Sequence, residues 1–424
     1  MREDFITSYL QYRSDTEPPV FFHRWAILSA LGAYLARDVS FELGNSQIYP
    51  NMYCMLIGVP GTRKSTSIKM AKELLERTGF NKFSAEKTSK EKFILDLAGD
   101  LDSDAKELID DNLWGEGNGS ISECYIACDE FNNFIGNGNI EFISLLGELW
   151  DRNGNYSNRI KNGKSVSISN PTISILGGNT STGFSLAFPS QTIGQGFFSR
   201  LILIYSEPSG RKITFPKRVS NHDTQCMVNQ LLAIKSLSST GSVTRTHSAE
   251  LLLDKIYKSD NRIDDVRFEH YTNRRFTHLL KLTLIHCLAR MSLEISEEDV
   301  VIANTVLSHT EKLMPKALGE FGESRNSNVN HKVLSALENA KSTMTLPDLW
   351  KAVSSDMEKP SELGNVIGGL LMAGKILKTE SGFLIRRSMM EAEYSDVIDY
   401  GFLSSEEQGP MAQPVVTRVK LEVV

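Results

Sequence analysis

The chain has 424 residues, of which 41% are hydrophobic and 23% charged, a composition with enough apolar residue for two or three globular domains. Its formal net charge of −6 excludes a protein that coats nucleic acid with its whole surface, while leaving room for local basic loops. No apolar run approaches the length of a membrane span and the opening Met-Arg-Glu-Asp-Phe is acidic where a signal peptide is basic, so a cytoplasmic protein with no membrane partner is expected.

Residues 1–45 read as an N-terminal helical segment. Phe5, Tyr9, Leu10 and Tyr12 start one pattern, Pro18-Pro19 breaks it, and Phe21 to Ala36 forms a long apolar helix around His23, Arg24 and Trp25 that is expected to pack on the next domain. Residues 46–213 then alternate strands and helices, the signature of an α/β sheet. Cys54, Cys124 and Cys128 lie in its apolar segments, and with Cys226 and Cys287 they show no metal-ligand spacing, so buried free thiols are expected.

The first landmark of this core is Tyr53 to Ile68: an apolar run, the turn Gly58-Val59-Pro60-Gly61, and Thr62-Arg63-Lys64-Ser65-Thr66 opening an amphipathic helix. This is the strand, loop and helix of a phosphate-binding P-loop. Glycines let successive backbone N–H groups turn inward around a polyphosphate, and the helix N-terminus adds its positive dipole end. ATP is the expected cofactor, cradled by Gly58, Gly61, Thr62, Arg63, Lys64, Ser65 and Thr66. Lys64 would reach the β- and γ-phosphates, and the Ser65 hydroxyl would meet Mg²⁺. Arg63 stands where the usual pattern has glycine. The first position of a forming helix does not ordinarily need a glycine-only conformation, so binding is expected to survive.

A short strand is expected at Phe83 to Ala85 and a helix from Ser89 to Leu97, followed by a glycine-rich loop at 115–119. Cys124 to Cys128 is a buried strand ending in Asp129-Glu130, the Walker B pattern: Asp129 beside the metal, Glu130 positioned to polarise the attacking water. Tyr156 to Ile168 alternates on both sides of Asn162-Gly163, a hairpin signal with a type I′ turn. Arg159, Lys161 and Lys164 make this hairpin basic, so it is either a nucleic-acid contact or a solvated surface hairpin. Pro171 to Thr180 is another buried strand, ending at Asn179. P-loop ATPases with a strand inserted between the two Walker strands carry an Asn there, the sensor 1 that positions water. Arg200, directly before the last strand, is the candidate arginine finger delivered to a neighbouring subunit's γ-phosphate.

Taken in order, Gly-x-x-Gly-x-x-Lys-Ser, Asp-Glu, a basic hairpin, Asn and Phe-Phe-Ser-Arg resemble the AAA+ motors of the minichromosome-maintenance and superfamily 3 helicase type. The chain is most similar to helicase and primase-helicase proteins of bacteriophages and mobile elements, whose N-terminal flank is similar to Phe22-His23-Arg24-Trp25 and Tyr49-Pro50-Asn51. The likeness spans roughly residues 1 to 320. It implies a homo-oligomeric ring, usually a hexamer, with ATP between subunits and single-stranded DNA in the channel. It also implies that residues 214–325 form a helical lid, with Arg274, or Arg275 beside it, matching sensor 2. Residues 326–388, read as three helices and a two-stranded hairpin, resemble a winged helix that touches DNA or docks subunits. The tail 389–424 is acidic to Glu407 and reads as disordered or partner-binding. The expected activity is an ATP-dependent DNA helicase or translocase of phage or mobile-element replication, with priming left to a primase or polymerase partner. The alternatives are a nucleotide-switched initiator or helicase loader, or a structural ATP-binding subunit.

Overall fold

A helix with no polar face belongs inside a protein. Val20–Leu35 (α2) is such a helix, and every residue of it after Val20 is buried. In the computed structural model, which describes residues 4–99, 122–159, 165–188, 192, 196–216, 219–239, 242–259, 261–263, 265–319, 397–408 and most of 329–385, α2 follows the short helix Phe5–Tyr12 (α1), capped by Asp4 accepting from the Thr7 N–H at 2.7 Å. Three polar side chains of α2 are bonded: His23 Nε2 meets Thr16 Oγ1 at 2.8 Å, Trp25 donates to Thr310 Oγ1 at 3.0 Å, and Arg24 pairs with Glu407. His23-Arg24-Trp25 is thus a packing element, as the sequence implied. Gly32 lets α2 approach the next segment, since a Cβ there would lie 2.4 Å from the carbonyl oxygen of Pro50.

A small antiparallel hairpin, Phe41–Leu43 (β1) with Ser46–Ile48 (β2), leads into the central sheet. Its strands are Tyr53–Ile57 (β3), Glu123–Cys128 (β4), Thr172–Asn179 (β7) and Leu201–Tyr205 (β8), all parallel in the order β4-β7-β3-β8. β3 and β7 are buried along their whole length, the continuous apolar run of a parallel sheet covered on both faces. β7 lies between the strand that feeds the glycine loop and the strand that ends in the two acids, the insertion expected from the sequence. Outside β4, Phe83 forms a parallel bridge to Tyr125, so the short strand expected at 83–85 is present as a single bridge. Lys64–Glu76 (α3) follows the glycine loop, and Lys90–Leu97 (α4) is capped by Ser89. The hairpin of Tyr156–Arg159 (β5) and Ser165–Ile168 (β6) runs directly into β7.

Residues 221–318 are mainly helical, as the sequence implied. The longest helices, Arg275–Ala289 and Glu297–Leu318, pack against each other, the second started by a Ser296–Asp299 capping box. The tail departs from expectation. Residues 397–408 fold onto the first unit, with Glu407 buried against Arg24 at 2.5 and 2.9 Å, and Val397 and Leu403 buried beside them. Charge in this segment reads as solvation when its partner is 383 positions away, which is why the sequence suggested disorder.

The chain divides into two units, 1–319 with 396–424, and 320–395. The second has its own core of Val329, Val333, Leu337, Leu349, Val353, Leu363, Ile367, Leu370 and Ile376. It contains the helices Leu346–Val353 and Pro360–Met372 and the antiparallel pair Ile376–Thr379 with Gly382–Ile385. Among the described residues, no helix is long and apolar enough to cross a membrane. Cys54, Cys128 and Cys287 are buried free thiols, Cys124 is half-buried and Cys226 exposed. Burial pushes the thiols of Cys124 and Cys128 up to about 12, which makes them inert.

Candidate nucleotide site

The register of the sheet assembles the site. Ile57 of β3 pairs with Asn179 of β7, and Cys128 of β4 pairs with Gly177. The glycine loop, Asp129-Glu130 and Asn179 therefore emerge side by side at the carboxyl edge of three adjacent parallel strands, the place where open α/β sheets bind ligands. Gly177 and Gly178 make the approach possible. A Cβ at Gly178 would lie 2.4 Å from the Asp129 carbonyl oxygen, and one at Gly177 would lie 2.9 Å from Met55 Sδ.

In the loop, Gly61 has φ 87° and Gly58 faces the Ser206 carbonyl oxygen, 3.0 Å from where a Cβ would sit. Lys64 Nζ reaches back inside the loop and donates to the carbonyls of Gly58 at 2.8 Å and Val59 at 3.2 Å. Burial pulls the Lys64 ammonium below its ordinary pKa, while the Glu130 carboxylate pulls it back up. Thr62 is buried and its hydroxyl donates to the Val59 carbonyl at 2.6 Å. Ser65 is exposed and Thr66 half-buried at the start of α3.

Arg63 corrects the sequence reading. It is not in a helical conformation but left-handed, at φ 62° and ψ 28°. That is the conformation glycine adopts freely, and another residue there gives up roughly 1–2 kcal/mol. Its guanidinium pairs with Glu17 at 2.7 Å.

Burial, with Glu86 second, raises the Asp129 carboxyl above its ordinary value, so a cation beside it would be welcome. Glu130 is exposed and accepts from Asn133 Nδ2 at 2.8 Å. Asn179 is 4% exposed, and its Nδ2 has no hydrogen-bond partner among the described residues. A buried orphan amide costs about 1–3 kcal/mol, which an oxygen arriving at this edge would relieve. Among the described residues no group of three His, Cys, Asp or Glu side chains converges.

Arg200 stands elsewhere. It directly precedes β8, whose first residue Leu201 pairs with Tyr53, the first of β3. Arg200 is therefore at the amino edge, about 17 Å of strand from the glycine loop. Arg274 shares that edge: both guanidinium carbons lie 5.8 Å from the Trp150 ring centroid, and Arg274 bonds Asp151 at 3.2 Å. Arg200 Nε has no partner among the described residues. Arg275 does not join them. It is buried and bonds Glu311 at 2.8 Å and Asn304 and Ser308 at 2.9 Å, so of the two arginines offered for sensor 2 only Arg274 has a half-exposed guanidinium.

Sequence reasoning missed the support beneath this cluster. Lys281 Nζ lies 4.4 Å from the Trp150 centroid and donates to Tyr49 O and Asn51 Oδ1, both at 2.8 Å. Burial pulls its ammonium down to about 7. The signal available was the pairing of Tyr49-Pro50-Asn51 with a lone Lys in an apolar helix. In the hairpin, Arg159 pairs with Ser165. Five residues lie between them, whereas a two-residue turn at Asn162-Gly163 on an unbroken ladder leaves an even number. Lys161 and Lys164 lie outside the described residues, as does the Arg159 side chain. Neither a protein-family model nor a curated protein matches the chain, so the chemistry of this edge rests on its own geometry.

Proposed function

We propose that the chain is an ATP-dependent DNA motor of the AAA+ type, a helicase or translocase working as a homo-oligomeric, hexameric ring. One observation carries the reading: loop, acid pair and orphan amide share one edge of the sheet, while Arg200 and Arg274 share the opposite edge. A chain so built cannot bring Arg200 to its own glycine loop, but a head-to-tail neighbour can, and head-to-tail contacts whose rotation closes make rings. The residues at the carboxyl edge fit ATP with Mg²⁺. Lys64 and the N–H groups of the loop would hold the phosphates, and Ser65 and Asp129 would hold the metal together with phosphate oxygens, the mixed shell Mg²⁺ prefers. The metal would neutralise charge on the phosphates. Glu130 would accept a proton from the attacking water, and Asn179 would orient that water.

The basic hairpin with Arg159, Lys161 and Lys164, leading straight into the strand that ends at Asn179, is the proposed grip on single-stranded DNA. The second unit is the proposed winged helix. The test is ATP turnover with and without single-stranded DNA, then strand displacement. Lys64→Ala should lose turnover and weaken nucleotide binding, whereas Glu130→Gln should keep binding and lose turnover at least about 100-fold. Unchanged turnover in Glu130→Gln removes the acid-pair assignment, and hydrolysis that single-stranded DNA does not stimulate, with no strand displacement, moves the chain to the initiator or loader class.

A further inference from the structure

Arg63 is one of four non-glycine residues with positive φ among the described residues, and it is the one inside the phosphate-binding loop. Something must hold it there against its own preference. The holding group is Glu17, whose Oε2 lies 2.7 Å from Arg63 Nε. Glu17 is itself tied down. Its Oε1 accepts from the Ile213 N–H at 3.0 Å and its carbonyl accepts from the Ser209 hydroxyl at 2.5 Å. Arg211, in the same segment, donates to the Ser14 carbonyl at 2.6 Å. Thr16, next to it, donates to the Arg13 carbonyl at 2.7 Å and meets His23 at 2.8 Å. Pro18 and Pro19 follow, stiffening the entry to α2. The Ile213 segment continues from β8, which pairs with the strand that feeds the loop. Glu17 is thus a fixed post beside the loop. The hydrogen bond from the Ile213 N–H, followed by the Arg63 charge, holds its carboxyl below the usual carboxylate range.

We infer that Glu17 is a positioning residue for the phosphate-binding loop: it pins Arg63 in the left-handed conformation that glycine would adopt unaided. The direction of the peptide N–H groups flanking Arg63 depends on that conformation. The inference rests on the nucleotide reading. Replacing the glycine by arginine makes the loop's shape conditional on the N-terminal segment, a dependence absent from a loop with glycine at this position.

Mg²⁺–ATP titrations by calorimetry on the full chain test it. Glu17→Gln should raise the ATP Kd about threefold, the worth of a half-exposed ion pair. Arg63→Gln should raise it to a similar degree, because a left-handed residue has then lost its anchor. Arg63→Gly should bind ATP more tightly than Arg63→Gln, since glycine holds the left-handed conformation unaided, and adding Glu17→Gln to Arg63→Gly should change nothing further, the non-additivity of residues acting through one contact. Glu73→Gln, on the exposed side of α3, should match wild type. Equal losses when Glu17→Gln is made in the wild-type chain and in the Arg63→Gly variant overturn the inference, as does tighter binding by Glu17→Gln, which would make the carboxylate a repulsive neighbour of phosphate. The Arg63→Gln and Arg63→Gly contrast decides the matter even if Glu17→Gln does not fold, since it leaves Glu17's other bonds in place. No ATP binding by wild type overturns the nucleotide reading and the positioning role with it. Binding by wild type with equal Kd for Arg63→Gln and Arg63→Gly overturns the positioning role alone.

Discussion

A single methyl group at Gly178 would meet the Asp129 carbonyl oxygen at 2.4 Å, and a backbone oxygen cannot swing aside as a flexible side chain can. Gly178→Ala must therefore part β7 from the end of β4. Overpacking of this kind destabilises by about 1–3 kcal/mol, which a unit of this size survives. The displacement, however, falls on Asp129-Glu130. An ångström of misplacement at a reacting centre costs about 100-fold in rate. Single-turnover ATP hydrolysis by Gly178→Ala should fall by that order while the protein still melts cooperatively; wild-type turnover would show that the acids are not the reacting groups. At this scale the sequence was informative where a residue's place is set locally. That Lys64, Asp129-Glu130 and Asn179 each follow or close a buried strand could be read from the sequence, because an apolar run ending in a polar group is local information. Arg63 could not be read correctly, because its φ is set by the loop and by Glu17. Arg275 could not be separated from Arg274, because its partners come from a helix about thirty positions away.

Among the elements, the segment 397–408 is the clearest case of long-range pairing. Arg24 and Glu407 are both buried, and His309 Nε2 meets the Glu407 carbonyl at 2.9 Å. Asn304 bonds the Val397 carbonyl and Thr305 the Asp399 N–H, both at 2.9 Å, so the segment is fixed to α2 and to the helix Glu297–Leu318. Glu407→Ala leaves a buried guanidinium unpaired and should cost about 3–5 kcal/mol, read as a lower Tm. The joint change Arg24→Met with Glu407→Leu should be close to neutral. Burial pushes the Glu407 carboxyl up, but Arg24 and the Ser404 hydrogen bonds outweigh it and leave it below the usual value. A carboxyl depressed in the fold contributes stability that is complete above its unfolded pKa of about 4.3 and is lost as pH falls through the lower folded value. The fall in Tm on acidification below about pH 5 should accordingly be shallower in the Met–Leu double variant than in wild type. Equal slopes would mean the pair does not titrate with unfolding. Helices and strands of the core were legible from period and apolar runs, since α2, β3 and β7 are buried on all sides and show no alternation. The docking of 397–408 was not, because its anchors, the Arg24–Glu407 and Arg211–Glu406 pairs and the bonds to Asn304, Thr305 and His309, are all distant in sequence.

On the scale of the whole molecule, parallel strand direction separates the two halves of the proposed chemistry. Every strand of the central sheet points its carboxyl end at the glycine loop, and Arg200 sits before the first residue of β8. No rotamer of an arginine spans the length of a five-residue strand, so hydrolysis that uses Arg200 requires a second chain. Arg200→Ala alone should be inactive because each site lacks its arginine, and Lys64→Ala alone because each site lacks its lysine. In an equal mixture, an interface is complete when its loop comes from an Arg200→Ala subunit and its arginine from a Lys64→Ala subunit. Random assembly of a head-to-tail ring makes about a quarter of interfaces complete. ATP turnover should thus recover to about that fraction of wild type if interfaces fire independently, and to less if the ring must fire in sequence. The measurement is turnover against mixing ratio, with mixed rings verified by pull-down of differently tagged chains. Recovery that peaks at equal ratio supports the shared site. If tagged chains co-assemble and turnover stays at the level of the separate variants at every ratio, Arg200 does not act across an interface. Its contact with Trp150 at the amino edge would then be structural, and the ring loses the geometric argument on which it stands.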